Sequence, residues 1–277
     1  MDKNTIIDLA LDLTENSPLN YISSEDAITP ACAGMKMFDS PIFAFGCAND
    51  ELFFQFRSPK IDGGHFMLPC EWLPGARTVI SFFLPYTDSI KSANSRDLSR
   101  PADEWLHGRV EGQLFVAELS NQIQKALTNA GYESIVPISD ARFKTWIGEG
   151  KFTSNWSERH AAFACGLGTF GLSKGLITEK GTCGRFGSVL TALDMPKDIR
   201  QYKDVYEYCA MCGACATQCP AGSISVELGK DHVSCQKFVD KTMEKYKPRY
   251  GCGKCQVSVP CESRIPVTTG ERGAVYV

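Results

Sequence analysis

The chain has 277 residues, 43% of them hydrophobic and 22% charged, with a formal net charge of −3. That length suits one substantial unit plus a small appended one, and the ordinary composition excludes a low-complexity or disordered chain. No apolar run nears the ~18 residues of a membrane span, and Met1 to Ala10 has neither a basic start nor an apolar signal core, which predicts a cytoplasmic protein without membrane contact; the slightly negative charge argues weakly against a large nucleic-acid-binding face, leaving room for a local basic patch.

Ile6, Leu9, Ala10 and Leu13 recur at three-and-four spacing, which predicts an opening amphipathic helix. From Ala31 to Pro69 short apolar pieces, Ile42 to Phe45 and Leu52 to Phe56 among them, lie between scattered glycines and suit short strands and loops. Thr78 to Leu84 is rich in β-branched and aromatic residues, follows the turn-like Leu73-Pro74-Gly75 and stops at Pro85, as a buried central strand does. A long helix is predicted from about Arg109 to Ala130, with Val116, Leu119, Ile123, Ala126 and Leu127 on one face and Gly131 to end it. Ile135 to Ile138 reads as the next strand. A further helix starts near Asn155, whose side chain can cap it with Glu158 three residues on, and ends at Gly166. This alternation predicts an α/β unit over residues 1–197. After Met195-Pro196 the text turns to cysteine, glycine and charge, which marks a second unit over 198–277.

The composition is unusual only in its 13 cysteines, eight of which fall between Cys209 and Cys261, a clustering that in a cytosolic chain reads as metal binding. Cys209, Cys212, Cys215 and Cys219, followed by Pro220, have the C-x2-C-x2-C-x3-C-P spacing of two-cluster ferredoxins, in which the fourth thiolate points to the other cluster. By that crossover logic Cys209, Cys212, Cys215 and Cys261 hold one [4Fe-4S] cluster, and Cys219, Cys235, Cys252 and Cys255 hold a second. Structural zinc is the rival reading, but a triple run offers one more nearby thiolate than a zinc knuckle uses. Cys32, Cys47, Cys70, Cys165 and Cys183 are taken as small apolar residues.

Glu158 to Ser188 carries seven glycines in 31 positions, too many for regular packing alone, so the backbone is expected to approach a ligand closely there or to make tight turns between strands. Gly166 to Gly171, GLGTFG, matches the letters of a dinucleotide fingerprint but follows a helix where that site needs a strand.

On three segments, LPGARTVISFFLPY at Leu73 to Tyr86, ERHAAFACGLGTFG at Glu158 to Gly171, and the cysteine array with its GCGKCQ, the chain resembles the cobalamin-dependent epoxyqueuosine reductases and, more distantly, the reductive dehalogenases. The resemblance implies a nitroreductase-like open sheet with helices that holds base-off cobalamin, and a ferredoxin-like domain that reduces it. Trp156, Gly166, Gly168, Thr169, Phe170, Gly171, Arg185, Gly187 and Ser188 would then line the corrin, with Trp156 and Phe170 flanking the ring and Arg185 holding an anionic group such as a phosphate. A low-potential donor such as ferredoxin or flavodoxin would supply electrons, and the substrate would be a small molecule or a corrinoid protein. Three departures point to a sister group of the tRNA-modifying enzymes: the chain ends at Val277 without a helical repeat region, Phe152 stands where the family has its catalytic aspartate, and the gap from Cys255 to Cys261 is longer than usual. His107 and His160 are the candidate proton donors, each weighed against a purely structural histidine. Two rival functions stay open: an electron-transfer protein or corrinoid-protein activator, and a true epoxyqueuosine reductase acting on tRNA.

Overall fold

A computed structural model describes residues 1–58, 61, 64–148 and 151–267; the chain end at Val277 lies outside them. Helix α1 (Lys3–Asn16) opens the chain, its N-terminus capped by the Asp2 side chain. Strand β1 (Ile42–Cys47) follows, then short helices α2 (Glu51–Gln55) and α3 (Pro69–Trp72), strand β2 (Thr78–Pro85), and helices α4 (Asp88–Ser95) and α5 (Asp103–Asn129). Next come β3 (Ser134–Ile135), the hairpin β4 (Thr145–Gly148) and β5 (Lys151–Ser154), helix α6 (Glu158–Cys165), the hairpin β6 (Gly168–Phe170) and β7 (Leu176–Thr178), and β8 (Gly184–Thr191). The cysteine-rich part adds α7 (Ala214–Thr217), the small hairpin β9 (Ile224–Ser225) and β10 (Gly229–Lys230), and α8 (His232–Tyr246).

The protein is mixed α/β, as expected, and its main sheet has the order β1-β2-β8-β3 with every pairing antiparallel. Strand β2 is buried at all eight positions because both faces of the sheet are covered. Ile80, Phe82 and Leu84 pack with Ile6 of α1 and Phe115, Leu119 and Ile123 of α5. Val79 and Phe83 pack on the other side with Trp72, Trp156 and Phe163. The alternation is the period of two that a strand imposes, so a single apolar run serves two cores.

Several expectations shift. Leu52 to Phe56 is no strand: Asp50 caps it as α2, its side chain accepting from Leu52 N at 3.1 Å. Helix α5 begins at Asp103, earlier than the apolar face suggested, and ends where Gly131 takes φ +89°. The strand read from Ile135 to Ile138 keeps only Ser134–Ile135, since Pro137 opens a 3-10 turn. Ser157, not Asn155, caps α6; the Asn155 amide instead bonds Lys144 N and the Arg142 carbonyl, both at 2.8 Å. Gly166 does end α6, at φ +108°. Of the cysteines taken as apolar filling, Cys32, Cys165 and Cys183 are buried, whereas Cys70 is exposed.

Residues just past the expected boundary are fastened to the first part. Asp198 accepts from Phe45 N at 2.8 Å and pairs with Lys3 at 2.5 Å, and Arg200 bridges Asp50 and the Ala164 carbonyl, each at 2.7 Å. Further on, Asn94 donates to the Cys252 carbonyl at 3.0 Å, and the buried Lys254 amine donates to the Asn94 side chain at 2.6 Å.

Candidate metal centres and cavity

Cys209, Cys212, Cys215 and Cys261 line one small cavity of about 20 Å³ beside the β6–β7 hairpin. Cys219, Cys235, Cys252 and Cys255 all line a second, of about 620 Å³, an open cleft between the first part and the cysteine-rich part. Within each set the thiols act on one another electrostatically: Cys209, Cys215 and Cys212 on Cys261, and Cys235 and Cys219 on Cys255. Cys255 also acts on Cys215, so the two centres are neighbours. Burial first, then these neighbours, pushes Cys215 and Cys261 up to about 12, a thiol state that the positive charge of iron would reverse. Among the described residues no three His, Cys, Asp or Glu side chains converge as on a single metal ion. Four thiols ringing a void suit a multi-iron cube better than one zinc ion.

The large cavity is aromatic and cationic. Tyr86, Trp105, Phe143, Phe152, Trp156 and Phe186 supply flat apolar surface, and Arg109, Arg159, Arg185 and Lys230 supply charge. Arg109 lies over the Tyr250 ring at 4.7 Å, Arg159 donates to the Lys174 carbonyl at 2.5 Å, and Arg185 donates to Gln113. Burial, then the nearby Arg109, brings Arg185 down to about 10, so it stays charged at neutral pH. The chain's net charge of −3 is thus no guide to this surface. Glu158 is the one acid in the wall among the described residues, and sequence reasoning missed it by treating it as part of a helix-capping pattern.

Of the residues expected around a corrin, Trp156 and Arg185 line this cavity. The others do not. Gly168 is packed so tightly on the Ile177 backbone, and Gly187 on the Phe82 ring, that a Cβ would overlap either neighbour. Thr169 Oγ1 accepts from Tyr208 N at 2.8 Å, Phe170 N donates to the Val205 carbonyl at 2.8 Å, and Gly171 borders the smaller cavity. The GLGTFG segment therefore fastens the cysteine-rich part to the first. Gly166 caps α6, and Ser188 Oγ accepts from Trp156 Nε1 at 3.0 Å.

Neither candidate histidine lines the cavity. His107 is fully buried in α5; its Nε2 accepts from Ile28 N at 3.0 Å, so Nδ1 carries the proton and donates to Glu111 at 3.2 Å. His160 packs against Phe56 and Phe170 with Nδ1 2.8 Å from Ser157 Oγ, and burial, followed by the charge of Arg159, brings its pKa down to about 3. Phe152 lines the cavity with no proton to give.

No protein-family model matches the chain. It is 26% identical over 200 residues to the epoxyqueuosine reductase of Bacillus cereus, covering 68% of this chain and 49% of that protein. With the epoxyqueuosine reductase of Escherichia coli K12 it shares 26% over 214 residues, 73% of this chain and 53% of that one. The chain spans about half the length of these curated relatives. Among solved structures, a selenomethionine-labelled epoxyqueuosine reductase superposes with a TM-score of 0.51 at 18% identity, over 80% of this chain and 61% of that one. An epoxyqueuosine reductase bound to an epoxyqueuosine-modified tRNA stem loop gives 0.52 at 16%, over 82% and 62%. A reductive dehalogenase studied for B12-dependent dehalogenation gives 0.55 at 16%, over 82% and 30%. The fold is thus the one that epoxyqueuosine reductases share with reductive dehalogenases. The sequence relatives, at 26% identity, are epoxyqueuosine reductases.

Proposed function

We propose that the chain is an iron–sulfur reductase in which residues 198–277 form a ferredoxin-like part with two [4Fe-4S] clusters and residues 1–197 hold cobalamin. One observation carries this reading: all four cysteines of one expected set line the large cavity, while those of the other set line the smaller one. Cys212, exposed at the surface, marks the outer centre as the entry point for a low-potential donor such as ferredoxin or flavodoxin. The aromatic wall suits a flat macrocycle, and Arg109, Arg159, Arg185 and Lys230 suit its phosphate. When bound, the corrin would supply a low-potential metal centre able to break carbon–heteroatom bonds. The protein's own part is to hold the ring, exclude water and set charge around it.

The substrate that the relatives favour is epoxyqueuosine in tRNA, and one of them carries a tRNA stem loop in its structure. The cationic cavity supports that reading over the expectation that nucleic acid is an unlikely partner. Anaerobic reconstitution with iron and sulfide analysis, a visible titration with cobalamin, and incubation of the dithionite-reduced protein with an epoxyqueuosine-containing stem loop test it. About eight irons, a corrin band shifting toward the base-off form and conversion of the stem loop are expected. Iron without a corrin shift would leave an electron-transfer protein, and a corrin shift without conversion would leave a reductase of another substrate.

A further inference from the structure

Glu158 has no task in that reading. It stands at the first position of α6, and both carboxylate oxygens are sealed from solvent without a well-formed hydrogen bond. The other ionisable groups facing the cavity are Arg109 on α5, Arg159 beside it on α6, Arg185 on β8 and Lys230 on β10, with the Tyr86 and Tyr250 phenols and the cysteine thiols. A lone acid among four cations would be expected to pair with one. Yet Arg159 turns to the Lys174 carbonyl, Arg185 to Gln113, and Arg109 to the Tyr250 ring. The groups next to Glu158 are the Ser188 hydroxyl and the Trp156 indole, which are already bonded to each other. A buried carboxylate with so little compensation is far costlier than the neutral acid. Burial accordingly outweighs Ser188 and Trp156 and raises the group to about 7.

We propose that Glu158 is the acid that holds a proton just behind the cavity wall and, as its side chain turns toward the cavity, delivers it to the group reduced there, an inference that rests on the reductase reading. For an epoxide the balance closes. Two electrons from the external reductant and two protons, one from the Glu158 carboxyl and one from water, break both C–O bonds, form C=C and release the oxygen as water. Glu158 is left as the carboxylate and, in the turned-out position, takes a proton back from solvent. Phe152 shares the wall and can donate nothing.

The first test needs no substrate. Infrared spectra of the reconstituted full chain should show a carboxylic-acid C=O band at pH 6 that shifts in D2O, fades as the pH rises through about 7, and is missing in Glu158→Gln. Iron content and melting temperature identify a variant that has failed to fold, and Glu158→Asp then serves in its place. No such band in the wild type, or an unchanged band in the variant, overturns the proposal. The second test is dithionite-driven single turnover on the epoxyqueuosine stem loop, where Glu158→Gln should be slower by about 100-fold and Glu158→Asp intermediate. Equal rates for wild type and Glu158→Gln overturn the proposal while the reductase reading stands. If the wild type itself leaves the stem loop unchanged, the substrate reading falls, and the infrared band decides whether Glu158 holds the proton.

Discussion

Gly253 sits directly on the indole of Trp105, so close that a Cβ at this position would lie inside the ring. It takes φ +68°, and it separates Cys252 from the lysine that precedes Cys255. The cavity-side cysteines are therefore positioned by a side chain of α5, roughly 150 residues earlier in the chain. Gly253→Ala should push the loop off Trp105 and lose about four of eight irons, read by iron and sulfide analysis. Retention of all the iron would show that the loop can shift without releasing its ligands.

The division of the cysteines can be tested one ligand at a time. Cys235→Ser should remove the cavity-side cluster and leave the outer one, and Cys261→Ser should do the reverse, each leaving about four irons and one paramagnetic signal on reduction. Loss of both signals from either variant would mean that the sets are drawn wrongly.

Arg185 is the charged group best held for an anion, fixed by Gln113 and still cationic after its burial. Arg185→Gln should weaken cobalamin binding by about tenfold, in line with the loss of one charge-assisted hydrogen bond. A visible titration reads this directly, and unchanged affinity would place the phosphate elsewhere in the cavity.

Glu158 also gives stability a pH dependence whose sign follows from its raised pKa. The folded state binds this proton more tightly than the unfolded chain, so the contribution is complete below the ordinary value of 4.5 and is lost as the pH rises to about 7. Glu158→Gln cannot ionise. Its melting temperature should overtake that of the wild type between about pH 5 and about pH 8, by the equivalent of roughly 2 kcal/mol. A constant gap across that range would mean that the folded carboxyl titrates normally.

His107, by contrast, belongs to the scaffold. Removing it leaves the Ile28 amide and the Glu111 carboxylate short of partners, so His107→Ala should cost about 2 kcal/mol of stability and leave cluster reduction per iron unchanged. Thermal melts and dithionite titration separate the two roles. A selective loss of reduction would return His107 to the list of proton donors.

The ferredoxin-like run from Cys209 to Cys219 was legible because ligand spacing is a local property, set by what a tight loop can reach. The central strand from Thr78 was legible too, since two covered faces require an unbroken apolar run. The cavity was not. Its cations come from α5, α6, β8 and β10, and no local pattern joins Arg109 to Lys230. The glycines after Gly166 serve more than one end: Gly187 makes room for the Phe82 ring across the strand pair, whereas Gly184 packs on the Leu84 carbonyl and also lines the large cavity. Glu158 was hidden behind a capping pattern whose real cap is Ser157.

The segment that carries Cys261 is held by the first part of the chain: Thr182 N donates to the Cys261 carbonyl at 2.9 Å, Cys183 N donates to the Glu262 carbonyl at 3.1 Å, and Gly181 leaves room for that backbone. In the proposed reading maturation is therefore ordered. The outer iron site would close only after residue 261 has left the ribosome and that segment has folded back beside β8. Brown colour in freshly made protein would then report correct folding of the colourless first part as much as the supply of iron.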